Sequence, residues 1–299
     1  MRDHIAIRMV EQKCEILKRG GLWPSPPAMR PVAWLNNFDS PDKVIAASLL
    51  DRFTYCNSLT VNAMLRSAWQ SVADGFPKGP NVPNRELLLG GLERSWITPV
   101  EGETPRPTDS GYLFCRKARQ ILRMTDEMMI DTRTGIEKAR QGDTIIFVDD
   151  FVGSGDQFLE TWTRAYNRRG ESFATIHREI GYNAIYITLV TTDYGLAEIN
   201  RRAPNVAVCP AHVLTEKSTV CGLANAGLID RDSTEHFLEK YSKKLTPKED
   251  YMAGQPSYLK YGYKNRGLLI GFEHSIPDAT LPIFWSPGIE GWEPLIERL

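Results

Sequence analysis

Two adjacent carboxylates, Asp149 and Asp150, close a β-prone apolar run, Thr144-Ile-Ile-Phe-Val148. After Phe151-Val152 comes a short turn, Gly153-Ser154-Gly155-Asp156-Gln157, and an amphipathic helix is expected from Phe158. That order predicts a buried strand whose C-terminal end meets a ligand, the place where open α/β sheets build their sites. The first N–H groups of a helix have no partner within it and can hold a phosphate. Paired acceptors beside such a cradle suit a sugar phosphate, whose hydroxyls need acceptors and whose phosphate needs donors. The same letters admit a plainer reading, because Ser154-x-x-Gln157 is also a capping box that would only start the helix.

The stretch resembles the phosphoribosyl pyrophosphate loop of type I phosphoribosyltransferases. Ile145 to Val148 match that loop's apolar run, Asp149 and Asp150 its acidic pair, Phe151 and Val152 its second apolar pair, and Ser154-Gly155 its turn. The resemblance implies that Asp149 and Asp150 face the ribose hydroxyls. It also implies that Val152, Gly153, Ser154, Gly155, Asp156 and Gln157 cradle the 5′-phosphate, with Mg²⁺ on the pyrophosphate side. Two positions depart from the pattern: Asp156 adds a carboxylate, and Gln157 stands where a threonine is usual. A second strand–loop–helix ahead of the motif holds pyrophosphate in such enzymes. By that analogy Asp109, Ser110 and Gly111 approach it, Arg116 and Lys117 neutralise it, and Trp285 or Phe284 lies on the base side near Glu273-His274.

More of the chain is similar to the phosphoribosyltransferase-like family of bacterial conflict (anti-phage) systems. The pieces that carry this likeness are Trp34-Leu-Asn-Asn-Phe38, Ala47-Ser-Leu-Leu-Asp-Arg-Phe53, Asp109-Ser110-Gly111, the central loop and Leu281-Pro-Ile-Phe-Trp285, within residues 34–287. The resemblance implies a cytoplasmic defence effector or its regulator, one that binds phosphoribosyl pyrophosphate or a nucleotide and works beside a protein partner of the same system. A non-catalytic nucleotide-sensing or interaction subunit is the alternative.

Composition narrows the rest. A formal net charge of −1 supplies no general basic field to recruit nucleic acid. No apolar run nears the roughly 20 residues a membrane helix needs. Cys14, Cys56, Cys115, Cys209 and Cys221 are scattered and form no C-x-x-C pair, so they are expected to be reduced packing residues. The histidines match no metal-ligand spacing. Tyr258, Lys260, Tyr261, Tyr263 and Lys264 interleave in a way that could stack on and neutralise nucleic acid, or form an ordinary surface loop.

The elements that must position the acidic pair follow from periodicity. Helices are expected over 3–19, from Ser40-Pro41, over 59–73, 112–124, 155–169, 194–202 and 233–243. Strands are expected over 95–100, 144–148, 185–190, 206–209 and 268–271. This alternation predicts an α/β fold, a parallel sheet with helices on both faces. The expected organisation is a helical N-terminal extension over 1–90 and a phosphoribosyltransferase-like domain over 91–299 with an irregular, hood-like C-terminal segment.

Overall fold

The computed structural model describes residues 2–73, 95–102, 110–122, 124–246 and 257–297. Asp109 lies outside the described residues. Contacts divide the chain into two units, Met1–Leu59 with Glu216–Leu299, and Thr60–Thr215. The division expected at residue 90 therefore falls within the second unit.

In the first unit, α1 (Arg2–Arg19) carries Asp3 in its first turn and Lys18 and Arg19 in its last, each opposite in sign to the helix pole beside it. Its apolar side, Val10, Cys14 and Leu17, joins the core, and Gly21 at φ 69° follows its end. Pro31 starts α2 (Pro31–Leu35). The next helix, α3 (Lys43–Asp51), is capped at Asp42 rather than Ser40, and it buries Ala47 and Leu50 as its spacing predicts. Strand β1 (Thr54–Cys56) follows.

The second unit is the sheet. Helix α4 (Ser58–Ala73) leads into it; β2 (Ser95–Pro99), α5 (Ser110–Leu122), α6 (Thr132–Arg140) and β3 (Thr144–Val152) come next. Then α7 (Asp156–Thr163), α8 (Phe173–Ile180), β4 (Ala184–Thr192), α9 (Asp193–Arg202) and β5 (Val206–Leu214) complete it. The strands run parallel in the order β2-β3-β4-β5. Ile145 and Phe147 share a core with Phe158, Trp162, Phe173 and Tyr186. Phe147 meets Phe173 edge-on at 4.8 Å, and Phe158 stacks on Tyr186 at 4.3 Å. The intervening Ile146 and Val148 are equally buried. A strand apolar on both sides marks a sheet covered on both faces, the α/β arrangement expected.

Three departures from expectation have local causes. Strand β3 runs to Val152, because pairing with β4 continues through Asp149↔Thr188 and Val152↔Thr191. Helix α7 stops at Thr163, where Arg164 turns extended at ψ 136° and the N–H of Tyr166 bonds Glu171, which leaves Ala165 exposed. Helix α8 had no counterpart in the sequence reading. It starts at a reciprocal cap between Ser172 and Thr175, without the glutamate or glutamine that usually signals one.

The chain then returns to the first unit through α10 (Val220–Asn225), α11 (Arg231–Ser242), α12 (Tyr258–Tyr261) and β6 (Ile270–Phe272), which pairs parallel with β1. Trp34 stacks on Phe284 at 5.0 Å, and its indole N–H donates to the Ile283 carbonyl at 2.7 Å. The N-terminal helices and the C-terminal segment thus fill one core rather than forming an extension and a hood.

Gly111, the second residue of α5, lets that helix reach the end of β2. A Cβ there would stand 2.3 Å from the Val100 carbonyl oxygen and 2.9 Å from Pro99 Cβ. Backbone cannot yield as a flexible side chain can, so Gly111→Ala is expected to cost roughly 1–3 kcal/mol. Urea unfolding measures this directly, and an unchanged midpoint would show that α5 shifts freely.

Candidate functional site

Strand β3 delivers Asp149 and Asp150, only 2% and 5% exposed, in its last turns. Ser110, the first residue of α5, donates its hydroxyl to Asp149 Oδ1 at 2.6 Å, and the Asp150 N–H donates to the same oxygen at 2.9 Å. Burial, and next the Asp149 and Asp150 charges, raise the Tyr186 phenol of β4 well above its usual range. Burial, and next the Asp150 charge, push the Asp149 carboxyl well above the usual carboxylate range, against the pull of Ser110 and the Asp150 N–H. Ser110 is thus brought to the pair as a partner of Asp149, whereas the reading from sequence had it meet pyrophosphate through its backbone.

The turn after β3 is held from the neighbouring helix. Gly155 sits at φ 82° as the cap residue of α7, and α7 has no side-chain cap. A glycine meets that requirement at little cost. The Ser154 hydroxyl donates to Asp156 Oδ2 at 2.6 Å, so Ser154 and Gln157 do not form the capping box that their spacing allowed. Thr192 donates to the Gly153 carbonyl and accepts the N–H of Gly195 at 2.9 Å, thereby capping α9 and fastening the turn in one bond pair. Any side chain at Gly195 would meet the Gly153 carbonyl at 2.8 Å. Val152 is a core residue, so only its backbone is available at the turn.

Other expected residues lie elsewhere. Lys117 donates to Asn62 of α4 at 3.3 Å, and Arg116 is exposed on the second turn of α5. Trp285 is 1% exposed in the core of the first unit, and its indole N–H is taken by the Thr280 carbonyl at 3.0 Å. Phe284 is equally buried, so neither ring offers a free face for a base. Of the aromatic and basic residues at 258–264, Tyr258 is core, while Lys260 and Tyr261 are engaged by Glu235. Burial pushes the Cys115 thiol up to about 12, the Asp149 charge adding to it, and Cys209 likewise to about 12, as expected of packing thiols.

Sequence reasoning missed Glu101, which is 6% exposed two residues beyond β2. Its carboxylate accepts from Thr132 at 2.8 Å, from Arg164 at 3.1 Å and from Tyr166 at 3.2 Å. Its N–H donates to the Thr161 hydroxyl at 3.0 Å. The network ties the end of β2 to α6 and to the end of α7. An apolar run closing in a carboxylate, Ile97-Thr-Pro-Val-Glu101, repeats the pattern at Asp149 and was the available signal.

The raised carboxyl of Asp149 has a consequence for stability. Folded protein keeps a proton that the unfolded chain releases near pH 4, so stability falls as pH rises from about 4 through the folded value. Asp149→Asn keeps an acceptor for Ser110 and the Asp150 N–H but cannot ionise. It is expected to flatten that fall and to stabilise by on the order of 1 kcal/mol at neutral pH. Urea midpoints at about pH 4 and pH 7 test it; parallel pH slopes in the two proteins would contradict the assignment.

A family model described as PRTase-CE matches residues 31–298. No curated protein matches the chain. With a parallel α/β sheet and the acidic strand end inside the matched span, the chain belongs to the PRTase-CE family and is a phosphoribosyltransferase-like protein.

Proposed function

We propose that the segment 149–157 binds phosphoribosyl pyrophosphate, or a nucleotide, as a complex with Mg²⁺. The observation that carries this reading is the buried pair Asp149–Asp150 standing one short turn before the N-terminus of α7, whose cap residue is the glycine Gly155. Ribose hydroxyls would donate to the carboxylates, and the 5′-phosphate would accept from the N–H groups at the start of α7. Among the described residues no three His, Cys, Asp or Glu side chains group as a metal site. The donor set therefore suits an ion that takes most of its oxygens from pyrophosphate and water, as Mg²⁺ does. When bound, that ion would neutralise the departing pyrophosphate.

Transfer from the anomeric carbon needs positioning more than covalent help. Positive charge grows on the sugar as pyrophosphate leaves, and the acidic pair stands where it would stabilise that charge. Ser110 and the Asp150 N–H hold Asp149 in one orientation for the purpose. The wider proposal is an effector enzyme of a bacterial anti-phage system, cytoplasmic and acting on nucleotide or nucleobase metabolism beside a protein partner of that system. The sequence likeness to conflict-system proteins supports that setting. The second reading, a nucleotide-sensing subunit without turnover, is favoured by Asp156. Its carboxylate occupies the Ser154 hydroxyl and adds negative charge in the first turn of α7.

Calorimetric titration with phosphoribosyl pyrophosphate is the test. Binding is expected only with Mg²⁺, and Asp149→Asn with Asp150→Asn is expected to weaken it by about a hundredfold, the loss of two charge-assisted contacts. Equal affinity in a folded double variant would remove the acidic pair from the site. Measured binding without release of pyrophosphate across a panel of bases would select the sensing reading.

A further inference from the structure

The unit formed by residues 1–59 and 216–299 contains a cavity of about 560 Å³ that plays no part in the function proposed above. Small-molecule sites commonly enclose roughly 300–1,000 Å³. The cavity opens where two parallel strands end, with Cys56 of β1 opposite Phe272 of β6. The chain leaves β1 through Asn57 and leaves β6 through Glu273 and His274, and all three line the cavity. Parallel strands bring polar groups together at their C-terminal ends in this way. Leu22, Pro24, Pro27 and Ile276 make much of the remaining wall apolar.

The charges here are uneven. Arg30 lines the cavity, but its guanidinium is held by Glu293 at 2.9 Å and by Glu297 at 3.2 Å. Glu273 is different. One of its oxygens accepts the N–H of Ser58, and among the described residues it has no ion-pair partner. A carboxylate offers about four acceptor positions, so one bond leaves most of them open. Tyr55 stands beside it, its phenol pushed up to about 12 by burial and then by the Glu273 charge, so it remains a neutral donor with an aromatic face. An unpaired carboxylate at the mouth of an apolar, aromatic-walled cavity is matched by a cation with a flat apolar body.

We propose that this cavity is a binding site for a small organic cation of that kind, an amidinium or protonated amino-heterocycle, whose nitrogens pair with Glu273 while its ring lies among Leu22, Pro24, Pro27 and Tyr55. The site is built from residues of one unit and the acidic pair from residues of the other, and the proposal does not depend on what that pair binds.

The probe is p-aminobenzamidine, a flat aromatic amidinium whose fluorescence rises in apolar surroundings, titrated into the full chain. A saturable rise is expected, reversed by benzamidine but not by benzoate, which has the same shape and the opposite charge. Glu273→Gln keeps a carbonyl for the Ser58 N–H and should leave the melting temperature unchanged while weakening the probe by about tenfold. Leu22→Trp, at a position 53% exposed, fills the cavity from its rim and should abolish the signal in a protein that still folds. Asp149→Asn with Asp150→Asn should leave probe affinity unchanged. The proposal is overturned by no saturable signal with folded protein, by full affinity in Glu273→Gln or Leu22→Trp, or by equal displacement with benzoate.

Discussion

Two carboxylates forced together out of water are the constraint around which the sheet unit is organised. Buried charges are costly unless paired or hydrogen-bonded, and Asp149 meets no cation among its hydrogen-bond partners. It is held instead by neutral donors: a hydroxyl from α5 and the next residue's own N–H. The hydroxyl comes from another element, so this arrangement exists only when β3 and the start of α5 are assembled. The raised carboxyl of Asp149 measures how incompletely those donors replace water.

The elements around the pair are built to tolerate that cost. Beneath it, Phe147, Phe158, Phe173 and Tyr186 form an aromatic layer with stacked and edge-on contacts. Such pairs add to burial alone and resist rearrangement. Tyr186 belongs to this layer through its ring, which is stacked on Phe158. The turn above is held by Thr192 and by the close approach of Gly153 and Gly195, so α7 begins at one fixed place. Glu101 does comparable work at the end of β2, where Thr132, Arg164 and Tyr166 converge on one buried carboxylate.

What could be read from sequence was local. The apolar run, the acidic pair and the glycine turn are contiguous, and their strand–turn–helix order needed no distant partner to be recognised. The end of β3 could not be read that way, because pairing with β4 carries the strand through the acids to Val152. Helix α8 escaped because its cap uses Thr175 in place of the residue that usually marks one. Trp285 shows the opposite limit: a short apolar segment looks alike whether it lines a pocket or fills a core, and only its burial in the first unit's core, with its indole N–H on Thr280, decides. The two-unit division was hidden for the same reason, since the contacts that join residues near 34 to those near 284 leave no mark on either stretch alone.

Ser110 shows how a side chain can make a contact that its place in the sequence does not signal. Its place at a helix start after a polar loop suggested backbone donation to an anion. In the fold its side chain makes a contact with the acidic pair, because Gly111 lets α5 come close enough for the hydroxyl to reach Asp149. A residue that bonds one oxygen of a buried acid fixes how that carboxyl group is oriented. That makes the Ser110–Gly111 step a determinant of the acidic pair's geometry, and it joins the conformational demand of a close helix–strand approach to the chemistry at the strand end.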